Sequence, residues 1–188
     1  MCDGACLVAD GYAAFLATKR REWTGAGIAQ PTIPAGLHPF QSALTVWALR
    51  KGRAALFADT GLGKTRMQVA WAENIPGRVL ILTPLCVAPQ TIAEAQKIGV
   101  TVGRLGAGRR IEITNYERLH HVTPGDYAGV VLDESSILKA MDGKTRTRLI
   151  QMFGDTPYRL CCTATPAPND IAELANHCEF LGIMTRAE

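Results

Sequence analysis

The sequence predicts an α/β domain, a mostly parallel sheet with helices on both faces, built around a phosphate-gripping loop. Three observations predict it. Strand-like and helix-like segments alternate along the chain from residue 37 onward. Several strand segments are continuously apolar, as strands covered on both faces must be: RVLILT at 78–83, YAGVVL at 127–132 and YRLCCT at 158–163. Finally, ADTGLGKT at 58–65 lies between the apolar AALF of 54–57 and a periodic helical segment.

The elements follow in order. Residues 39–49 read as a helix with Phe40, Leu44, Trp47 and Ala48 apolar. Residues 54–58 read as a strand. Residues 64–74 read as a helix, because Met67, Ala70 and Trp71 fall at i, i+3 and i+4 and the run Asn74-Ile75-Pro76-Gly77 stops it. A buried strand over 78–83 and a helix over 89–98, ended by Gly99, come next. Short strands over 100–105 and 111–114 precede a short helix running through His120. A strand over 127–132 ends at Asp133-Glu134, and a basic helix over 144–153, a strand over 158–163 and a helix over 169–181 complete the pattern. Upstream, Tyr12, Phe15 and Leu16 mark one face of a short helix over 12–23, and the Gly/Pro-rich stretch 25–36 reads as a linker. Residues 1–36 are therefore expected to be an N-terminal extension and linker, and 37–188 a single domain.

Composition excludes more than it specifies. A length of 188 residues suits one domain, and 47% hydrophobic residues supply its core. The net charge of +3 is a weak tilt toward polyanions. Its cations cluster at 19–21, 50–53, 104–110 and 144–148, where solvated helix ends and loops account for most of them. Cys86, Cys161 and Cys162 lie in apolar segments and read as small buried hydrophobes. Cys2 and Cys6 have no second Cys/His pair at usable spacing, and His120-His121 and His177-Cys178 are isolated, so no zinc site is expected. No basic stretch followed by a continuous apolar run opens the chain, and no apolar run reaches membrane-spanning length. A reducing cytoplasm is the expected setting.

The loop calls for a nucleoside triphosphate. A triphosphate needs many donors in a small space. Gly61 and Gly63 allow the tight turn that aims backbone N–H groups at phosphate oxygens. Lys64 adds a point charge for the β- and γ-phosphates, the Thr65 hydroxyl can ligate Mg²⁺, and the helix beginning there adds the positive end of its dipole. The first position of the usual pattern is Ala58 rather than glycine, with the spacing to Lys64 kept. Two adjacent carboxylates closing an apolar strand are costly unless they meet a cation or a proton. Asp133 is therefore expected to hold Mg²⁺, and Glu134 to orient and polarise the water that attacks the γ-phosphate. In a parallel sheet all these strand ends share one rim, where ligands bind.

Taken in order, these motifs resemble those of superfamily 2 helicases and translocases, specifically the first RecA-like domain of the Swi/Snf-like group. The resemblance spans about residues 37–182, and its wording is most similar to phage and bacterial versions. HPFQ at 38–41 resembles the motif whose glutamine, here Gln41, reads the adenine edge. DTGLGKT at 59–65 resembles motif I, with Thr60, Gly61, Gly63, Lys64 and Thr65 on the nucleotide. LILTPLCVAPQ at 80–90 and ITNYERL at 113–119 are similar to motifs that grip a nucleic-acid backbone, here through Thr83, Pro84, Asn115 and Tyr116. VVLDESS at 130–136 resembles motif II, with Ser135-Ser136 in place of the usual Ala-Asp or Ala-His. TATP at 163–166 resembles motif III, whose Thr163 and Thr165 couple nucleotide state to grip. Lys139 and the stretch 169–182 also look like this group.

The resemblance implies ATP and Mg²⁺ as ligands, ATP hydrolysis, and sequence-independent binding of DNA, double-stranded in the Swi/Snf-like group. It also implies a second RecA-like domain, in cis or in trans, bearing an arginine finger. The motifs of that domain do not occur before Glu188, so the residues present correspond to the N-terminal half of such a motor, expected to turn over slowly alone. Two other readings stay open. A terminase-type packaging motor shares the nucleotide chemistry, but HPFQ and TATP argue against it. A half-motor that only binds nucleic acid or a partner is not written in the residues, because Lys64, Thr65, Asp133 and Glu134 are all present.

Overall fold

The six strands β1 (Arg53–Phe57), β2 (Val79–Thr83), β3 (Val102–Arg104), β4 (Ile111–Asn115), β5 (Gly129–Asp133) and β6 (Tyr158–Thr163) form one sheet. All its pairings are parallel, in the order β1-β6-β5-β2-β4-β3. The structure is a computed structural model, and it describes residues 27–139, 144–167 and 173–184. The helix expected over 12–23, Cys2, Cys6 and the start of the helix expected from 169 lie outside the described residues. The described helices are α1 (Pro39–Lys51), α2 (Lys64–Asn74), α3 (Ala88–Lys97), α4 (Lys144–Phe153) and α5 (Leu174–Leu181). None is long and apolar enough to cross a membrane.

Strand alternation divides the core between two faces. Val79, Ile81, Val131, Leu160 and Cys162 pack with Leu49 of α1, Trp71 of α2 and Ala95 of α3. Leu80, Leu82, Val130, Leu132 and Cys161 pack with Leu149 and Phe153 of α4 and Phe180 of α5. Both faces of β2 and β5 are thereby covered, which is why these strands carry no polar alternation. Strand β6 lies between β1 and β5, with Phe57 opposite Thr163 and Asp133 opposite Cys162. The segments leaving β1, β6 and β5 are therefore neighbours at the carboxyl edge.

Most expected elements are present within one or two residues. Strand β3 is shorter than expected because the Val100 N–H bonds back to Ala95 O (3.0 Å), closing α3 instead of extending the sheet. The segment after β4 is a 3₁₀ helix (Tyr116–His121), and further 3₁₀ turns form at Pro124–Asp126 and Ser135–Lys139. Cys161 and Cys162 are buried as expected, and burial pushes both thiols up. Cys86 is exposed, contrary to the expectation, because the chain leaves the sheet at Pro84 and turns before α3. Residues 27–36 lie along α1 and α2: Ile28 N–H donates to Leu49 O (2.8 Å), Thr32 and Asn74 exchange two hydrogen bonds, and Arg66 donates to Gly36 O (3.1 Å).

Two arginines hold the C-terminus of α5. Arg159 is buried and donates to Thr156 O (2.9 Å), Gly154 O and Phe180 O, while Arg53 donates to Pro157 O (3.1 Å) and Leu181 O (3.4 Å). These cations meet the carbonyls and negative dipole end of the helix. Burial, with a contribution from Arg53, lowers the Arg159 guanidinium to about 10. Arg159→Met leaves three carbonyls without their donor and is expected to destabilise the fold by about 2–4 kcal/mol. Thermal unfolding followed by circular dichroism should show Tm lowered by roughly 5–15 °C.

Candidate active site

The loop after β1 is built on two glycines with positive φ, Gly61 (+80°) and Gly63 (+77°), a region that disfavours side chains. At Gly63 a Cβ would also lie 2.2 Å from Gln41 Nε2 and would push that side chain off its bonds. The Asp59 carboxylate accepts the Thr60 N–H (2.7 Å), which fixes the entry to the turn. Lys64 opens α2, and its Nζ donates to Ala58 O (2.8 Å) and Asp59 O (3.1 Å), holding the amine across the mouth of the loop. The first turn of α2 has no side-chain cap and no acidic residue. Its N–H groups and dipole remain available to an anion, with Thr65 as its second residue.

Asp133 closes β5 and is 6% exposed. Gln68 Nε2 donates to its Oδ1 (2.7 Å), and the Tyr116 hydroxyl donates to its carbonyl (2.6 Å). Burial raises the Asp133 carboxyl above the ordinary carboxylate value and the Glu134 charge raises it further, while the Gln68 bond and the Lys64 charge oppose this. The charge of the loop lysine therefore reaches the strand-end carboxylate. Glu134 has φ +50°, the left-handed region, and is the one non-glycine residue with positive φ among the described residues. Backbone strain of this kind concentrates at functional sites, and here it falls on the residue assigned to water activation. Thr163 Oγ1 lies 3.4 Å from Glu134 Oε2, long for a hydroxyl–carboxylate bond, and accepts the Thr165 N–H (3.1 Å). Ser135 Oγ meets His177 Nε2 of α5 (3.1 Å).

The fold thus brings Thr60, Gly61, Gly63, Lys64, Thr65, Asp133, Glu134, Thr163 and Thr165 to one rim. Gln41 is buried, bonding His38 N–H through Oε1 (2.9 Å) and Leu62 O through Nε2 (3.0 Å), so it ties the loop to α1. It also lines a cleft of about 430 Å³ beside the loop, with His38, Phe40, Leu62, Arg66 and Glu94. The backbone-gripping set needs correction. Thr83 is fully buried, its hydroxyl donating to Pro84 O (2.7 Å), and Tyr116 is buried with its hydroxyl on Asp133. Neither hydroxyl is turned toward a polyanion, although the Tyr116 side chain still lines an open cleft with Pro84 and Glu134. Asn115 caps the 3₁₀ helix by accepting the Arg118 N–H (3.1 Å), and it and Pro84 are half-buried. Sequence reasoning missed the support shell of Asp133. The one signal for Gln68 was an amide among apolar residues of α2.

The donor set fits a magnesium-bound triphosphate. It combines an uncapped helix start, a lysine, a threonine hydroxyl and a buried carboxylate. No group of three or more His, Cys, Asp or Glu able to hold a metal occurs among the described residues. Thr65 and Asp133 would supply protein oxygens beside those of the phosphates and of water. Because ionised Asp133 is disfavoured by burial, the native state binds its proton more tightly than the unfolded chain does. Its contribution to stability falls as pH rises through the raised value. Asp133→Asn is expected to raise Tm at neutral pH by about 2–4 °C, the effect of roughly 1 kcal/mol in a chain this size, with the gain vanishing under acid conditions. Paired thermal melts across pH check this.

An all-parallel sheet with a glycine-rich loop, a lysine and two strand-end carboxylates at its carboxyl edge defines a RecA-like P-loop domain. No protein-family model and no curated protein matches the chain. Solved structures do. The Sulfolobus solfataricus SWI2/SNF2 ATPase core in complex with dsDNA superposes with a TM-score of 0.68 at 22% identity, over 83% of this chain and 38% of that one. The UvsW helicase from bacteriophage T4 gives 0.62 at 15% identity, over 94% and 66%. The Pyrococcus furiosus Hef helicase domain gives 0.64 at 15%, over 81% and 39%. The chain spans from 38% to 66% of these structures' lengths. Its fold is that of the RecA-like domain in these structures.

Proposed function

We propose that this chain is the ATP-binding motor domain of a nucleic-acid-dependent ATPase that acts on DNA with Mg²⁺ as cofactor. The observation that carries this reading is the convergence of Lys64, Asp133 and Glu134 on the carboxyl ends of β1 and β5, either side of β6. The loop N–H groups, Lys64 and the helix dipole bind the phosphates, and the cleft beside Gln41 and Phe40 takes the base. Thr65 and Asp133 would hold Mg²⁺, which when bound would supply neutralisation of phosphate charge. Glu134 orients the attacking water and accepts its proton. Thr163 contacts Glu134 and leads through Thr165 out of the sheet, a route by which the state of the site reaches the nucleic-acid surface.

The DNA assignment is supported by the bound dsDNA of the SWI2/SNF2 neighbour. Arg118, His120, His121, Lys144 and Arg148 are exposed and suited to phosphates, whereas Arg146 is drawn inward to Asn176 (2.9 Å). A second RecA-like domain completes the motor. The test is duplex DNA affinity measured against salt concentration. Phosphate contacts give a log–log slope of about −0.9 per contact, and the same steep slope is expected on unrelated sequences. Affinity flat in salt removes the nucleic-acid part of the proposal.

A further inference from the structure

The side chain of Gln68 is fully buried, yet it is polar in a helix whose neighbouring positions are Met67, Val69, Ala70 and Trp71. One end of its amide is accounted for, because Nε2 donates to Asp133 Oδ1 at 2.7 Å. The other end is not. Gln68 Oε1 is buried with no hydrogen-bond partner among the described residues. A buried acceptor left unpaired is destabilising, and leucine or methionine would fill the same volume without one. Gln68 also sits one helical turn beyond Lys64, so the amide lies on the same stretch of α2 as the phosphate-binding residues.

We infer that Gln68 is a positioning residue of the magnesium site. Its Nε2 fixes the rotation of the Asp133 carboxylate, and its Oε1 provides the outer-shell acceptor that a hydrated magnesium ion requires. A hydrated Mg²⁺ keeps several of its waters, and each turns its hydrogens outward. A neutral acceptor serves them without adding a second buried anion beside Asp133. Tyr116, on the Asp133 carbonyl, holds the backbone of the same residue, so side chain and main chain are each fixed by a separate partner. Outer-shell partners of this kind set metal affinity while touching neither metal nor phosphate.

This inference rests on the nucleotide reading above, and its test separates the two. Equilibrium binding of a fluorescent ATP analogue is measured with and without Mg²⁺ for wild type, Gln68→Leu and Gln68→Asn. Both variants are checked for folding by circular dichroism. Asn keeps the amide chemistry but is one methylene too short, so it covers the case in which Leu fails to fold. Both variants are expected to need about 10–100-fold more Mg²⁺ for half-maximal enhancement of binding. Their metal-free affinity should equal that of the wild type, because Lys64 and the loop are intact. A merely structural role would instead weaken metal-free and metal-bound states alike. A folded variant whose Mg²⁺ midpoint moves less than about 2-fold, or one that loses metal-free affinity equally, overturns the inference and leaves the nucleotide reading standing. A wild type that binds no nucleotide at any Mg²⁺ concentration overturns both.

Discussion

Glu134→Gln is expected to bind ATP as the wild type does and to hydrolyse it roughly 10²–10⁴-fold more slowly, the usual contribution of a positioned general base. Glutamine keeps the length and hydrogen-bonding reach of the side chain, so water and the Thr163 contact can still be held. What it loses is a basic oxygen to take the proton. Backbone strain makes the comparison informative. Glu134 sits at φ +50° whether or not its side chain is charged, since the conformation is set by the turn from β5 into the following 3₁₀ helix. Turnover is read as phosphate release, and binding by titration with a non-hydrolysable analogue. Unchanged turnover in the variant would remove Glu134 from the chemistry and leave its strained backbone without a catalytic reason.

The second large effect concerns what completes the site. The 188-residue chain alone is expected to hydrolyse ATP very slowly, and supplying a second RecA-like domain bearing an arginine is expected to raise the rate by roughly 10³–10⁵, or about 4–7 kcal/mol of barrier. The residues at the rim position phosphate and water, but the one cation in that set, Lys64, comes from the loop side. Among the described residues, no further cation is assigned to the charge that develops on the transferred phosphoryl group away from the loop. Single-turnover hydrolysis with and without the added domain reads this directly. Fast turnover stimulated by DNA in the isolated chain would mean that a residue of this chain already fills the arginine's role.

Legibility followed how local each signal is. The phosphate loop was readable because the backbone itself demands glycine at Gly61 and Gly63, and helix α2 because Gly63 and Pro76 bracket it. The parallel sheet was readable from uninterrupted apolar runs, since strands covered on both faces leave no room for alternation. The carboxylate pair was readable because charge at the end of such a run needs a purpose. The hydroxyls of Thr83 and Tyr116 read as outward-facing for the opposite reason. A polar residue at a strand end reads as surface, and only the neighbouring strand and the following turn show that each hydroxyl bonds inward. Gln68 was overlooked because its meaning lies in Asp133, 65 residues away in the chain. Long-range pairings of this kind leave no periodic trace in sequence.

Nucleotide held by the loop lysine underlies the proposed function, and a titration checks it. Wild type and Lys64→Ala are titrated with ATP and Mg²⁺ by calorimetry under identical conditions, with matched thermal melts to show that both are folded. Saturable binding by the wild type that disappears in Lys64→Ala is the expected result. A folded Lys64→Ala protein that binds ATP with wild-type affinity would contradict the assignment of the loop, and with it the function proposed for the chain.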